Sequence, residues 1–270
     1  NQDMMELLKQ AGLRLKVERG GRVFPVSDRS FDVSGALERR LKSLRVSLVR
    51  DRAVDLEIED HEVRGVSGER RRYAAQAVIL ATGGISYPAT GSTGDGHRMA
   101  ERAGHTVTPL QGSLVPLQGT LDNGASCARL QGLGLRNVGV TVFENQKKIY
   151  TDLGELLFTH FGVSGPLVLS ASAHMRCFGK KAYHLEIDLK PALDEQTLDR
   201  RLLSDFEKYA NHDFCNALQD LLPQKLIPVM VEASGIPPHQ KVHEITREQR
   251  RALLLKFKHF VVKISAPCPV

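Results

Sequence analysis

The stretch from Gln76 to Gly104, QAVILATGGISYPATGSTGDGHRMAERAG, limits what this chain can fold into more than any other. Ala77-Val78-Ile79-Leu80 is a short continuous apolar run, the pattern of a strand buried on both faces in a parallel sheet. It stops at Ala81-Thr82-Gly83-Gly84. Two glycines at the carboxyl end of such a strand remove side chains from the edge at which open α/β sheets bind their ligands. Gly91-Ser92-Thr93-Gly94-Asp95-Gly96 then opens a helix predicted from His97 to Ala103, with Thr93 or Asp95 as its cap and Gly104 as its left-handed stop. Backbone N–H groups bared by glycine at a helix start suit an anion or a polar chain. The Lys-Ser/Thr ending of a nucleoside triphosphate loop is absent, so the spacing leaves two readings, a cradle for another ligand or a Gly-rich turn with none.

A resemblance separates those two. Val78-Ile79-Leu80-Ala81-Thr82-Gly83-Gly84-Ile85-Ser86-Tyr87-Pro88, Thr90-Gly91-Ser92-Thr93-Gly94-Asp95-Gly96, Gly104-His105-Thr106 and Leu114-Val115-Pro116-Leu117 resemble the bacterial FAD flavoproteins of the BaiN/YhiN type. These are also called NAD(P)/FAD-dependent oxidoreductases or aminoacetone-oxidase-like enzymes. Glu18-Arg19-Gly20-Gly21-Arg22-Val23-Phe24-Pro25-Val26-Ser27 and Gly154-Glu155-Leu156-Leu157-Phe158-Thr159-His160-Phe161-Gly162-Val163-Ser164-Gly165-Pro166 are similar to further motifs of that family, in the same order. The resemblance implies FAD held by Ala81, Thr82, Gly83, Gly84, Tyr87, Thr90, Gly91, Ser92, Thr93, Gly94, Asp95 and Gly96. It also implies that Arg22, Phe24 and Ser27 lie in the region of the flavin and that Val54 meets the adenine through its backbone. Family members begin with a strand, G-x-G-x-x-G and a helix, and close with a second glycine-rich segment. Neither pattern occurs between Asn1 and Val270, so the sequence reads as an internal fragment of a longer flavoprotein.

A hydrophobic fraction of 41% over 270 residues is ample for one or two real cores. No run approaches ~18 apolar residues, so no membrane span is expected, and a cytoplasmic setting fits Cys127, Cys177, Cys215 and Cys268, which are scattered without a C-x-x-C pair. They read as small buried hydrophobes, and no metal site is expected. A net charge of +6 favours anionic ligands such as a dinucleotide, but acids are interspersed with the bases and tryptophan is absent, which argues against nucleic acid as the partner and for a small-molecule substrate. Arg70-Arg71-Arg72, the one tight basic cluster, reads as a solvated turn between strands.

Taken in order, Met4, Leu7 and Leu8 predict a helix ended by Gly12, and residues 13–18 alternate as a strand. Gly20-Gly21 turns the chain into Arg22, which as a guanidinium suits a phosphate or carboxylate and otherwise is a loop charge. Val33, Leu37, Leu41 and Leu44 mark one helical face, capped by Asp32 or Ser34. Residues 46–49 read as a strand, 53–58 and 62–66 as the arms of a hairpin, and 105–107 as another short strand. Residues 138–143, 147–150 and 184–189 alternate as antiparallel strands, with Glu144-Asn145-Gln146 as a turn. Beyond Pro191 the spacing becomes helical: Leu198, Leu202, Phe206 and Tyr209 share a face, and Leu218, Leu221 and Leu222 start a second run. Pro228 opens a third helix, and Thr246-Arg247-Glu248-Gln249 begins a fourth in capping-box form. His239 and His243 lie four apart after Pro237-Pro238 with no third ligand evident.

The expected fold is α/β with an insertion: a partial glutathione-reductase-like FAD-binding domain of Rossmann type at 1–112, an inserted antiparallel β-barrel-like domain at 113–190, a small helical domain at 191–257, and a strand at 258–270 that returns to the FAD domain. No catalytic triad or carboxylate pair is visible. Flavin chemistry needs neither, because the cofactor carries the hydride and the protein orients it. His160 is the one residue considered for proton transfer, although a lone histidine more often packs or braces a loop. The expected activity is hydride transfer between FAD and a small organic substrate, with NAD(P)H as a donor. An RNA-associated flavoprotein and a scaffold without an activity of its own are the alternatives.

Overall fold

A computed structural model describes residues 2–18 and 21–269, so the Arg19-Gly20 part of the first turn motif lies outside the described residues. The chain divides into two compact units, 1–108 and 109–270.

In the first unit, α1 (Gln2–Gln10) stops at Gly12, whose φ of 84° is open to glycine without cost. The alternating residues that follow form β1 (Leu15–Glu18), antiparallel to β2 (Arg22–Pro25). Then comes α2 (Ser30–Ser43). It starts two residues ahead of Asp32 without a side-chain cap: Asp32 sits in the first turn and accepts the Ser27 hydroxyl instead. The expected hairpin is β3 (Ala53–Glu59) and β4 (Glu62–Gly68), joined through the left-handed pair Asp60 and His61 and extended by β5 (Arg72–Ala74). The arginine cluster forms the β4–β5 turn, closed by Gly68 N–H donating to Arg71 O at 2.8 Å and braced by Asp51, which accepts the Tyr73 hydroxyl at 2.8 Å.

Three expected strands are absent. Residues 46–49, 77–80 and 105–107 have extended or irregular backbone with no strand partner among the described residues. The apolar run at 77–80 has the pattern of a strand buried on both faces, yet Ile79 is 91% exposed. Such a strand exists only where neighbours on both sides take up its N–H and C=O groups, and the two sheets of this unit end without reaching it. Leu48 and Val49 are left exposed for the same reason.

The second unit is built on a closed barrel. Its strands are β6 (Leu117–Leu121), β7 (Gly134–Glu144), β8 (Lys147–Phe158), β9 (Gly162–Ser164), β10 (Tyr183–Asp188) and β11 (Phe260–Pro267), in the order β10-β11-β6-β9-β8-β7 and antiparallel throughout. Strict alternation sends Tyr183, Leu185 and Ile187 of β10 inward, and Phe260, Val262 and Ile264 of β11 beside them. Phe158 meets Phe260 edge to face, with centroids 6.4 Å apart. Each such side chain, fully buried, contributes about 1.5–3 kcal/mol. The strand within 258–270, expected to return to the FAD domain, is instead a stave of the barrel, because the alternating apolar residues of β11 pair with β10 and β6, and Cys268 N–H then donates to Pro116 O at 2.8 Å. Between β9 and β10 lies α4 (Pro166–Ser172), opened by its proline and buried through Leu167 and Val168.

The β7–β8 hairpin turns on Asn145 (φ 46°) and Gln146 (φ 73°), a two-residue connection with both centres left-handed. Gln146 bears that conformation without glycine's tolerance of it. Gln146→Gly is therefore expected to stabilise this unit by about 0.5–1 kcal/mol, read as a rise in midpoint temperature on thermal unfolding.

The helical part is α5 (Glu195–Lys208), α6 (Ile227–Ser234) and α7 (Arg247–Lys258). Asp194 caps α5 by accepting Thr197 N–H, and Thr246 with Gln249 forms the capping box of α7. Leu198, Leu202 and Phe206 of α5 and Leu253, Leu254 and Phe257 of α7 join a core continuous with the barrel. Leu218, Leu221 and Leu222 also enter this core, but from a chain of turns rather than the expected helix. Pro223 follows at once and has no N–H to carry a helix on.

Candidate functional site

Residues 81–96 form an exposed, glycine-shaped loop leading into α3 (Asp95–Arg102). Its course is set by four left-handed residues, Gly83 (φ 77°), Tyr87 (φ 56°), Gly91 (φ 98°) and Gly94 (φ 78°). Pro88 begins a single 3-10 turn to Thr90, closed when the N–H and hydroxyl of Thr90 both donate to Tyr87 O at 2.9 and 2.8 Å. Gly94 N–H reaches back to Gly84 O at 3.1 Å, which folds the two glycine clusters onto each other. At Gly96 a Cβ would sit 2.3 Å from Thr82 Oγ1, so the helix start and the first cluster touch through the missing side chain.

The predicted site residues from Ala81 to Gly96 therefore come together, though neither Thr93 nor Asp95 caps α3. Gly94 is the N-cap residue, and Thr93 donates its hydroxyl to Asp95 at 3.0 Å. Asp95 also holds the Arg98 guanidinium and lies 3.4 Å from Arg52. The Thr93 hydroxyl first, and the two arginines after it, keep the Asp95 carboxyl below the usual aspartate range. Asp95 is thus an ionised acceptor fixed at the loop's edge. The end of α3 is as expected: Gly104 at φ 90° donates to Glu101 O and His105 N–H to Ala100 O, the paired bonds of a glycine stop.

Val54 lies at a bulge, the residue skipped in the register between β3 and β4. Its carbonyl accepts from Arg102 at 3.2 Å, and Arg102 also pairs with Asp55 at 2.8 Å, tying α3 to β3. Arg22 lies in β2 with its guanidinium 6.0 Å from the Phe24 ring centre and 3.8 Å from Glu18. Ser27, two residues beyond β2, gives its hydroxyl to Asp32.

His160 belongs to the second unit. It stands exposed in the three-residue β8–β9 turn, its ring edge-on to Phe161 at 4.9 Å. Thr159 braces that turn by accepting Gly162 N–H at 3.2 Å, and Phe161 O accepts Gly119 N–H at 3.0 Å. His239 and His243 are engaged by Asp213 and by Ala210 O, and no cluster of metal-ligating groups occurs among the described residues. The four cysteines are free thiols; burial pushes the Cys127 thiol up to about 11, which makes it inert at neutral pH.

Sequence reasoning missed His97. Its Nδ1 is buried with no hydrogen-bond partner among the described residues, and it lies 3.9 Å from where a Cβ on Gly94 would be. An orphaned ring nitrogen behind a bare glycine loop fits a polar ligand laid across that loop. The signal was its place in the first turn of α3, directly after Gly94-Asp95-Gly96. Arg52, Arg98 and Arg102 were also passed over, because the contacts that give them a role come from distant parts of the chain.

Two family models account for the two parts, the glycine loop at a helix start and the six-stranded barrel with its helices, and together they define an FAD-binding protein. Residues 21–147 match the model of the FAD binding domain, and residues 111–269 match that of the HI0933-like protein barrel and H2TH domain. The second match covers more than half of the chain, which belongs to this HI0933-like family, the BaiN/YhiN-type FAD flavoproteins. Among similar proteins is the 3-dehydro-bile acid delta(4,6)-reductase of Clostridium scindens, 27% identical over 97% of this chain and 64% of its own length. The ribosomal RNA dihydrouridine synthase of Haemophilus influenzae is 29% identical over 70% of this chain and 44% of its own length. The enzyme of that name from Escherichia coli is 30% identical over 60% of this chain and 38% of its own length. The chain thus spans less than two thirds of each of these relatives.

Proposed function

We propose that this chain is part of an FAD-dependent oxidoreductase that passes hydride between the flavin and a small organic substrate. The observation that carries this reading is the coincidence of the FAD binding domain match with the loop at 81–96. In that reading the backbone of Thr82, Gly83, Gly84, Gly91 and Ser92 and the Asp95 carboxylate hold the polar chain of FAD. Ala81, Tyr87, Thr90, Thr93, Gly94 and Gly96 shape its bed, Val54 meets the adenine, and Arg22, Phe24 and Ser27 lie towards the flavin. Bound FAD supplies hydride transfer through its own ring, so the side chains orient it and exclude water. His160 is proposed as a proton-transfer residue, and NAD(P)H as the electron donor in a cytoplasmic setting; no helix is long and apolar enough to cross a membrane among the described residues. The proposed division is an FAD part at 1–112, a β insert at 113–190, a helical insert at 191–257 and a strand at 258–270 that completes the β insert.

The test is a titration with FAD, followed by anaerobic addition of NADH or NADPH. Saturable uptake and bleaching of the bound flavin by one nucleotide support the reading. A protein that purifies without flavin and cannot be reconstituted ends it.

A second reading, in which the flavoprotein acts on RNA, is favoured by two of the relatives being ribosomal RNA dihydrouridine synthases. The net charge of +6 agrees with it.

A further inference from the structure

We propose that the arginine-lined groove between α5 and α7 is a docking surface for the phosphodiester backbone of structured RNA. The proposal deepens the second reading above and rests on it.

Between residues 191 and 260 the charges balance, ten basic against ten acidic. The balance is not local. Four of the five arginines in that range, Arg200, Arg247, Arg250 and Arg251, line a single open cavity of about 650 Å³ formed by the first two turns of both helices. None of the five lysines in the range lines it. Arginine offers a planar fork that grips a phosphate through two parallel bonds, while lysine offers a point charge, so a groove of arginines alone is matched to phosphate oxygens.

The four do different work. Arg250 is 15% exposed and binds Asp199 through two bonds of 2.8 and 3.2 Å, which locks α7 to α5 and fixes the groove's floor. Arg200 leans on Thr197 at 3.2 Å and is exposed. Arg247 and Arg251 are exposed and have no hydrogen-bond acceptor among the described residues. With Arg250 and Asp199 neutralising each other, three guanidinium groups face one remaining lining carboxylate, Glu195. The Asp194 cap of α5, the Thr246–Gln249 capping box of α7 and the core leucines beneath are complete, so nothing in the packing of either helix calls for Arg247 or Arg251. Their purpose lies outside the chain, in a polyanion with regularly spaced charges.

The experiment compares the purified protein with Arg247→Glu/Arg251→Glu and with Lys147→Glu/Lys148→Glu, which makes the same charge change on the barrel hairpin. Binding of a fluorescein-labelled RNA stem-loop is measured across salt concentrations, with unfolding curves confirming that each variant folds. The expected result is at least about tenfold weaker binding for the arginine variant, with a salt slope shallower by roughly 1.5–2, the share of two lost phosphate contacts, while the lysine variant stays near the parent. An unchanged slope in the arginine variant overturns the groove and leaves the RNA reading standing. Failure of the parent to bind the stem-loop even at low salt removes the RNA reading and the groove with it. Poly-glutamate competing as well as RNA overturns the proposal in favour of an acidic protein partner.

Discussion

Gly162→Ala is expected to lower the unfolding free energy of the barrel unit by about 4 kcal/mol, combining backbone strain with overpacking. Gly162 stands at φ 157° in β9, the three-residue strand that closes the barrel between β6 and β8. A Cβ there would lie 2.2 Å from Leu117 O and 2.7 Å from Gly119 N. Both atoms are backbone of the neighbouring stave, so no rotamer relieves the clash. The chain must instead open the register in which Leu117 faces Val163 and Gln118 faces Gly162. Calorimetry or thermal circular dichroism should show a midpoint lower by roughly 10 °C for a unit of this size. A shift below a degree would mean that β9 contributes little to closure.

The second large effect is expected at the cofactor. Gly94→Val places a β-branched residue at φ 78°, and the new Cβ would crowd Ile85 Cγ2 at 3.1 Å and approach His97. The loop can relieve this only by giving up the Gly94 to Gly84 bond that folds the two glycine clusters together. FAD affinity is expected to fall at least about a hundredfold, the equivalent of two or three lost hydrogen bonds. Unfolding of the barrel unit should stay at the parent's temperature. Tight FAD binding by the variant would show that the cofactor does not rest on this loop.

Periodicity made the second unit legible. The alternation in residues 184–189 and the leucine spacing in 198–206 each reflect one buried face, and a buried face is a local property. Caps at Thr246 and the glycine stop at Gly104 were equally plain, because each is completed within a few residues. The pairing that closes the expected barrel was not: β11 joins β6 across more than a hundred residues, and neither strand carries a mark of its partner. The apolar run at 77–80 shows the opposite failure. Its composition demands a sheet that the described residues do not provide, so a correct reading of preference gave an incorrect strand. At the candidate site the glycines were legible, since positive φ leaves a compositional trace. His97, Arg52 and Arg102 matter through contacts that only folding creates, and a lone histidine or arginine carries no such trace.

The bond between Cys268 and Pro116 has a consequence for how such a module travels. A body whose two ends are clasped side by side can be spliced into any surface turn of a host without prising that turn apart, and lifted out again leaving only a short gap to bridge. Its own tightest corner, at Asn145 and Gln146, is then the natural place for new termini, so that the barrel can be cut there, rejoined at the clasp and still close.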